Sequence, residues 1–151
     1  MKYALFYIVA IVAANYGFSV IPPWHVFGAV LPPMTFAVGA VFVLRDFVQR
    51  DLGHWVAVPI VIGTGLSFIM ADPFIAAASG AAFAISESVD WLVYTKTKAP
   101  MKQRILLSSC LSVPADSAAF LLLAGFFSWP GFLVMVVSKM IAALIVWVSL
   151  K

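Results

Sequence analysis

Four ionisable side chains stand inside stretches of sequence that are otherwise apolar. Glu87 and Asp90 lie three residues apart, so a helix would present both on one face. Asp116 and Lys139 fall in two later apolar stretches. A charge at the centre of a bilayer costs roughly 2.5–3.5 kcal/mol on insertion scales, so it marks a functional group by default. Carboxylates accept hydrogen bonds from N–H groups, so these positions could bind a ligand that carries such donors.

Aromatic side chains continue the faces on which the carboxylates lie. Helical spacing places Phe83 and Tyr94 on the face of the first two carboxylates. In the next apolar stretch, Ser112 precedes Asp116 by one turn and Phe120 follows it by one turn. Aromatic rings stack on flat ligands. The pattern therefore suits a planar ring with hydrogen-bonding groups along its edge.

Structural roles are the alternatives for these groups. Glu87 and Asp90 could hold a helix bundle together, or Asp90 could reach the membrane surface. Asn15, a lone amide in the first apolar stretch, could join two helices by a hydrogen bond. A further group of charges is expected to form a cluster at the membrane surface rather than a site: Arg45, Asp46, Arg50 and Asp51.

The amino-acid composition indicates whether the folded chain is surrounded by water or by lipid. Of its 151 residues, 64% are hydrophobic and 10% are charged, against about 25% charged in soluble domains. The surface of a water-soluble domain needs more polar and charged side chains than this composition supplies. The composition excludes a soluble enzyme, a nucleic-acid-binding module and a disordered chain, and it favours an integral membrane protein. The single cysteine, Cys110, excludes an internal disulfide.

Six apolar stretches are long enough for spanning helices, which need about 20 residues. They cover approximately residues 3–21, 27–48, 55–71, 74–94, 105–127 and 130–150. Apart from Lys139, the lysines and arginines all fall on one side: at the termini, at the end of the second stretch and between the fourth and fifth stretches. Basic residues mark the cytoplasmic side. The sequence therefore predicts an all-α integral membrane protein, a single domain over residues 1–151 with six transmembrane helices and both termini cytoplasmic.

Counting helical rise predicts that Asp116 and Lys139 meet. Each lies twelve residues from a basic residue at the same end of its helix, Arg104 and Lys151 respectively, which puts each roughly 18 Å deep. A short turn joins the two predicted helices and makes them neighbours. Opposite charges at equal depth on neighbouring helices should pair, because each alone is costly in hydrocarbon. Asn15 lies at a similar depth and could join them.

Three segments and one lysine, in this order along the chain, carry a family resemblance. Residues 31–53, 84–94 and 112–120 are similar to the second, the acidic fourth and the fifth span of the queuosine precursor transporter family, also called the VUT (vitamin uptake transporter) family. Lys139 falls where the last span of that family carries a lysine. The chain differs at Asp46-Phe-Val-Gln49, where many members have Asp-x-x-Thr-Glu.

The resemblance implies an inner-membrane importer of 7-cyano-7-deazaguanine or 7-aminomethyl-7-deazaguanine. One carboxylate would accept from the ring N–H and the exocyclic NH₂, and Lys139, Asn15 or Gln49 would donate to the carbonyl oxygen. Aromatic rings would stack on the faces of the base. The implied substrate-binding set, with no catalytic residue, metal or cofactor, is Asn15, Asp46, Gln49, Phe83, Glu87, Asp90, Trp91, Asp116, Phe120 and Lys139.

Two other functions remain open at this point. One is the substrate-binding S component of an energy-coupling-factor vitamin importer, whose docking motif the Ala10-x-x-x-Ala14 pair resembles. The other is a structural or pore-forming membrane protein without a specific ligand. An enzyme is not expected, since no nucleophile–base pair or metal-ligand set appears. The expected partners are the lipid bilayer and a small purine-like molecule, with no nucleic acid, and a homodimer is compatible with so small a chain.

Overall fold

A computed structural model describes residues 2–26, 29–97 and 100–149, and within these ranges the chain is largely helical. Two short strands, β1 (Trp24–Val26) and β2 (Ala29–Leu31), and one 3₁₀ helix, Gly53–Val56, lie between helices. The six α-helices are α1 (Lys2–Val20), α2 (Met34–Leu52), α3 (Ala57–Met70), α4 (Pro73–Lys96), α5 (Met101–Leu123) and α6 (Trp129–Ser149).

The connection between α1 and α2 is an antiparallel β-hairpin in which Trp24 lies opposite Leu31. A second spanning helix beginning at residue 27 was expected, and over residues 29–33 that prediction is wrong; Phe27 and Gly28 lie outside the described residues. The reason is the Pro32-Pro33 pair. Proline has no backbone N–H and restricts the residue before it, so α2 begins only at Met34, with Pro33 as its N-cap.

Local signals fix two other helix ends. The carboxylate of Asp72 accepts hydrogen bonds from the N–H groups of Phe74 and Ile75, at 2.8 and 3.1 Å, and so caps α4. Gly125, just after α5, has a φ of 73°, a left-handed conformation that suits glycine and ends a helix. The fifth helix has the length of the predicted stretch, residues 105–127, but it begins at Met101 and ends at Leu123, four residues earlier at each end.

The six helices form a closed ring. Extensive contacts join α1 to α2, α2 to α6, α6 to α5, α5 to α4, α4 to α3, and α3 back to α1. A smaller contact links α1 and α4 across the ring. In this order, α2 and α4 lie on opposite sides, and α5 and α6 lie side by side. The ring order decides which interior side chains can meet.

The loops after α1, α3 and α5 lie together at what we call the hairpin end. There the hydroxyl of Ser128 donates a hydrogen bond to the carbonyl oxygen of Val30. The backbone N–H of Asp72 donates to the hydroxyl of Ser19 at 2.8 Å. Successive helices therefore run in opposite directions between the two ends of the bundle.

The opposite end of the bundle is the basic end. Tyr3 stacks on Phe47 there, with ring centroids 5.8 Å apart, so the start of α1 lies beside the last turns of α2. At this end α2 and α4 finish and α5 begins. The sequence places a group of basic residues at this end: Arg50, Lys96, Lys102 and Arg104.

The exterior of the bundle is apolar. Phe68, Ile69 and Met70 on α3 and Val137 and Ile141 on α6 are all exposed, whereas soluble monomers rarely expose large continuous apolar patches. Three helical stretches among the described residues are long and apolar enough to cross a membrane: Tyr3–Val20, Gly53–Met70 and Leu106–Leu123. The fold is therefore compatible with an all-α membrane protein.

Candidate functional site

The ring encloses a small cavity lined by α1, α2, α4, α5 and α6. Its volume is about 30 Å³, enough for one or two water molecules. Sites for drug-sized ligands usually have roughly 300–1,000 Å³. The bundle is thus closed to a molecule of that size, which could enter only if helices or side chains moved. The polar residues on the wall are Asn15, Ser79, Asp116 and Lys139, and the aromatic ones are Phe18, Phe42, Phe83 and Phe120.

An ion pair forms one wall of the cavity. The Nζ of Lys139 donates to Oδ2 of Asp116, and the two residues are only 2% and 3% exposed. The pairing predicted from equal depth on neighbouring helices is confirmed. The pair joins α5 to α6 and is electrically neutral, which is how two charges can remain inside an apolar bundle.

Asn15 also lines the cavity, but its amide is hydrogen-bonded to α3 and not to the ion pair. Its Nδ2 donates to the hydroxyl of Ser67 on α3 at 2.9 Å, and that hydroxyl donates to the carbonyl oxygen of Gly63 at 2.8 Å. The amide therefore links α1 to α3, the structural role considered for it, while it also faces the cavity.

A second ionic cluster lies on the side of the cavity that faces the basic end. Nε of Arg45 lies 2.7 Å from Oε1 of Glu87, and one terminal nitrogen of Arg45 donates to Oδ2 of Asp90. The other terminal nitrogen lies 3.4 Å from the hydroxyl of Ser86. Glu87 and Asp90 thus face a guanidinium rather than the cavity wall.

The placement of Arg45 corrects one expectation. Arg45 was expected in a cluster at the membrane surface, but it is 1% exposed. The prediction failed because the guanidinium extends inward from α2 to α4, two helices on opposite sides of the ring. The side chains of Asp46 and Arg50 lie outside the described residues, and Asp51 is exposed.

Phe42 connects the two ionic groups. Its ring centroid lies 5.4 Å from Nζ of Lys139 and 4.9 Å from Cζ of Arg45. These are distances at which a cation interacts favourably with an aromatic ring. Phe42 is 2% exposed and forms part of the cavity wall. The two charged groups are therefore in contact through one ring.

The proposed binding set is divided by the structure. Phe83, Asn15, Asp116, Phe120 and Lys139 line the cavity. Glu87 and Asp90 belong to the cluster around Arg45. Gln49 lies half-buried near the end of α2, and the side chains of Asp46 and Trp91 lie outside the described residues.

The sequence interpretation missed Arg45, Phe42 and Phe18. Phe42 and Arg45 are three residues apart, the spacing of one helix face. That spacing is a signal for a shared environment, but it does not identify the facing helix.

Several buried polar atoms have no hydrogen-bond partner among the described residues. Ser112 Oγ and Ser117 Oγ, which lie before and after Asp116 in α5, are in this state, and so is Oδ1 of Asp90 in the cluster around Arg45. Buried polar atoms are usually paired, so such atoms need an explanation. A polar ligand that entered between the helices would find hydrogen-bonding groups here. No three His, Cys, Asp or Glu side chains of the described part are grouped so as to hold a metal ion.

Comparisons with protein-family models, with curated proteins and with solved structures find no match to this chain. Its function must therefore be argued from the site and its surroundings. A buried neutral ion pair among aromatic rings, inside a bundle with an apolar exterior, is the feature to be explained.

Proposed function

We propose that this protein is a membrane transporter that carries a planar, purine-like base through the centre of its six-helix ring. The observation that carries the proposal is the Asp116–Lys139 pair in a cavity walled by aromatic rings. Charged residues inside a membrane bundle are rare, and they mark substrate or ion pathways by default.

The pair has the chemistry to read one edge of a base. A lactam edge presents an N–H beside a C=O; Asp116 would accept from the N–H and Lys139 would donate to the oxygen. Each bond would be charge-assisted and would replace half of the existing ion pair. Phe83, Phe120 and Phe42 line the same cavity and offer rings for stacking.

The family resemblance narrows the substrate to a 7-deazaguanine precursor of queuosine. Such a base has the lactam edge, and its substituent at position 7 lies on the five-membered ring beside the carbonyl oxygen of that edge. Because the cavity holds only one or two waters when closed, binding must be accompanied by separation of the surrounding helices. We propose alternate opening toward the two sides of the membrane.

The proposal includes six membrane spans with the basic end in the cytoplasm. Reporter fusions near His25, Lys98 and Trp129 should report an internal location for Lys98 only. The expectation rests on the positions of the basic residues. An external reporter signal at Lys98 would contradict the topology.

Ligand selectivity tests the substrate class. Purified protein should bind guanine and both deazaguanines saturably, and adenine at least about 30-fold more weakly. Adenine lacks the lactam edge, and loss of a charge-assisted bond with a donor left unpaired costs about 2–4 kcal/mol. Isothermal titration calorimetry gives the dissociation constants. Equal affinity for adenine and guanine would exclude the lactam-reading role of the pair.

An aromatic substitution tests the stacking. Phe83→Leu should weaken deazaguanine binding about 3- to 10-fold, since an aromatic pair contributes roughly 0.5–1.5 kcal/mol beyond its buried area. Phe74→Leu is the matched control, because Phe74 lies on the same helix but points outward and is exposed. If both variants bind like the parent protein, Phe83 does not contact the base.

The S component of an energy-coupling-factor importer is disfavoured by one observation. Ala10 and Ala14, the residues that resemble its docking motif, pack within the bundle against Ile11, Val41 and their neighbours. Uptake in a host that lacks the coupling ATPases separates the two functions, as does binding of riboflavin in the same titration. A pore-forming protein without a ligand would show no saturable binding at all.

A further inference from the structure

Arg45 bridges two helices that face each other across the ring. Contacts follow the order α1, α2, α6, α5, α4, α3, so α2 and α4 are opposite members. The guanidinium of Arg45 on α2 nevertheless contacts Glu87, Asp90 and Ser86, all on α4. This side chain must therefore pass through the middle of the bundle. We call these four residues the strut.

The strut and Phe42 lie between the cavity and the basic end. Asp90 is six residues from the end of α4, and Arg45 is seven from the end of α2. Phe42, which contacts Arg45, is itself on the cavity wall. A molecule leaving the cavity toward the basic end would meet the ring of Phe42 and then the strut.

The other end of the cavity is closed by different chemistry. Phe18 packs on Phe120 and Phe126, with ring centroids 4.7 and 6.4 Å apart, and this group lies toward the hairpin end. Met135 packs in the same cluster. Apolar side chains can separate there without exposing a charge to hydrocarbon. The hairpin end is thus closed by rings and the basic end by ions.

We propose that the strut is the gate of the basic end, which must open before a bound base can leave on that side. The proposal rests on the proposed transport function. Opening separates Arg45 from its carboxylates. Glu87 is the more accessible of the two carboxylates, because its side chain is 27% exposed whereas that of Asp90 is 8% exposed.

Phe42 provides the link between ligand and gate. The ring contacts Lys139 in the cavity and Arg45 in the strut. A base that takes the place of Asp116 as the partner of Lys139 must shift the ammonium group, and hence the ring against which it lies. Occupancy of the cavity is therefore communicated to the strut through one side chain.

Thiol labelling tests the gate without any substrate. The native cysteine, Cys110, is exposed and is replaced by serine, and Ser79→Cys places a reporter on the cavity wall. A membrane-impermeant methanethiosulfonate is applied to vesicles of both orientations. The exposed Gln103, changed to cysteine in a separate protein, identifies the face of the basic end.

With the strut intact, the reporter should react slowly from the basic-end face. The triple variant Arg45→Met, Glu87→Gln and Asp90→Asn leaves no unpaired charge and should react at least tenfold faster from that face only. Arg45→Lys keeps the charge but loses the forked geometry that reaches both carboxylates. The reporter in Arg45→Lys should react at least threefold faster from the basic-end face. This variant takes the place of the triple variant in the test if the triple variant does not fold.

Lys96→Met is the matched control, since it removes an exposed cation near the same end of α4. It should leave the labelling rate unchanged. The gate assignment is overturned if the folded strut variants label at the parent rate, or if labelling accelerates equally from both faces. If the protein binds base saturably but the strut variants label at the parent rate, the gate proposal is wrong and the transport proposal stands. If labelling accelerates but no base binds, the transport proposal is wrong and the strut still closes the basic end.

Discussion

Asp116→Asn and Lys139→Met, each made alone, should sharply reduce the yield of monodisperse protein in detergent, and the double variant should recover most of that yield. The two residues form a pair that is almost completely buried. Removing one partner leaves an uncompensated buried charge, which costs about 3–5 kcal/mol, whereas removing both leaves none. Size-exclusion profiles and thermal midpoints of the three variants measure the effect.

Base uptake separates a structural pair from a functional one. The double variant should fold and yet show no saturable uptake, because it lacks both the acceptor and the donor that would read the lactam edge. Lys96→Met is the control for loss of a positive charge, since Lys96 is exposed, and its yield should match the parent protein. If the loss in the double variant equals the sum of the losses in the two single variants, the two residues do not act as a pair.

The depth of a residue in the bundle could be predicted from the sequence. Asp116 and Lys139 lie on helices joined by a short connection, so counting residues from the ends fixed both their level and their proximity. The same arithmetic also holds for Arg45 and Asp90, which lie at similar distances from the ends of α2 and α4. What counting cannot supply is the order of the helices around the ring. Without that order the sequence does not identify Glu87 and Asp90 as the partners of Arg45, and a basic residue near the end of a span is expected at the membrane surface.

The order of the ring is determined by contacts that leave little trace in hydropathy. A Cβ on Gly63 would lie 3.0 Å from Ile11 of α1, and one on Gly80 would lie 2.9 Å from Thr64 of α3. These glycines let helix pairs approach closely. An isolated glycine in an apolar stretch does not reveal which neighbour it admits. The hairpin was missed for a related reason, since strands of three residues are too short to show a period.

Of the glycine-to-alanine substitutions in the bundle, Gly39→Ala should destabilise the protein most. The added Cβ would lie 2.6 Å from Oγ and 2.7 Å from the carbonyl oxygen of Ser138 on α6. The side chain could rotate away, but the backbone cannot, so α2 and α6 must move apart. Overpacking of this kind costs typically 1–3 kcal/mol, which exceeds the roughly 0.5–1 kcal/mol that alanine gains over glycine within a helix.

The consequence should reach the proposed binding site, because Ser138 directly precedes Lys139. We expect Gly39→Ala to lower the thermal midpoint and to weaken base binding at least tenfold. Gly65→Ala is the matched control, since a Cβ there meets nothing within 4 Å, and it should be neutral or slightly stabilising. Adding Ser138→Ala to Gly39→Ala removes the hydroxyl but not the carbonyl, so rescue should be partial at most. Wild-type stability and affinity in Gly39→Ala would mean that α2 and α6 are not in backbone contact at this level, and that Lys139 is positioned by some other pair of helices.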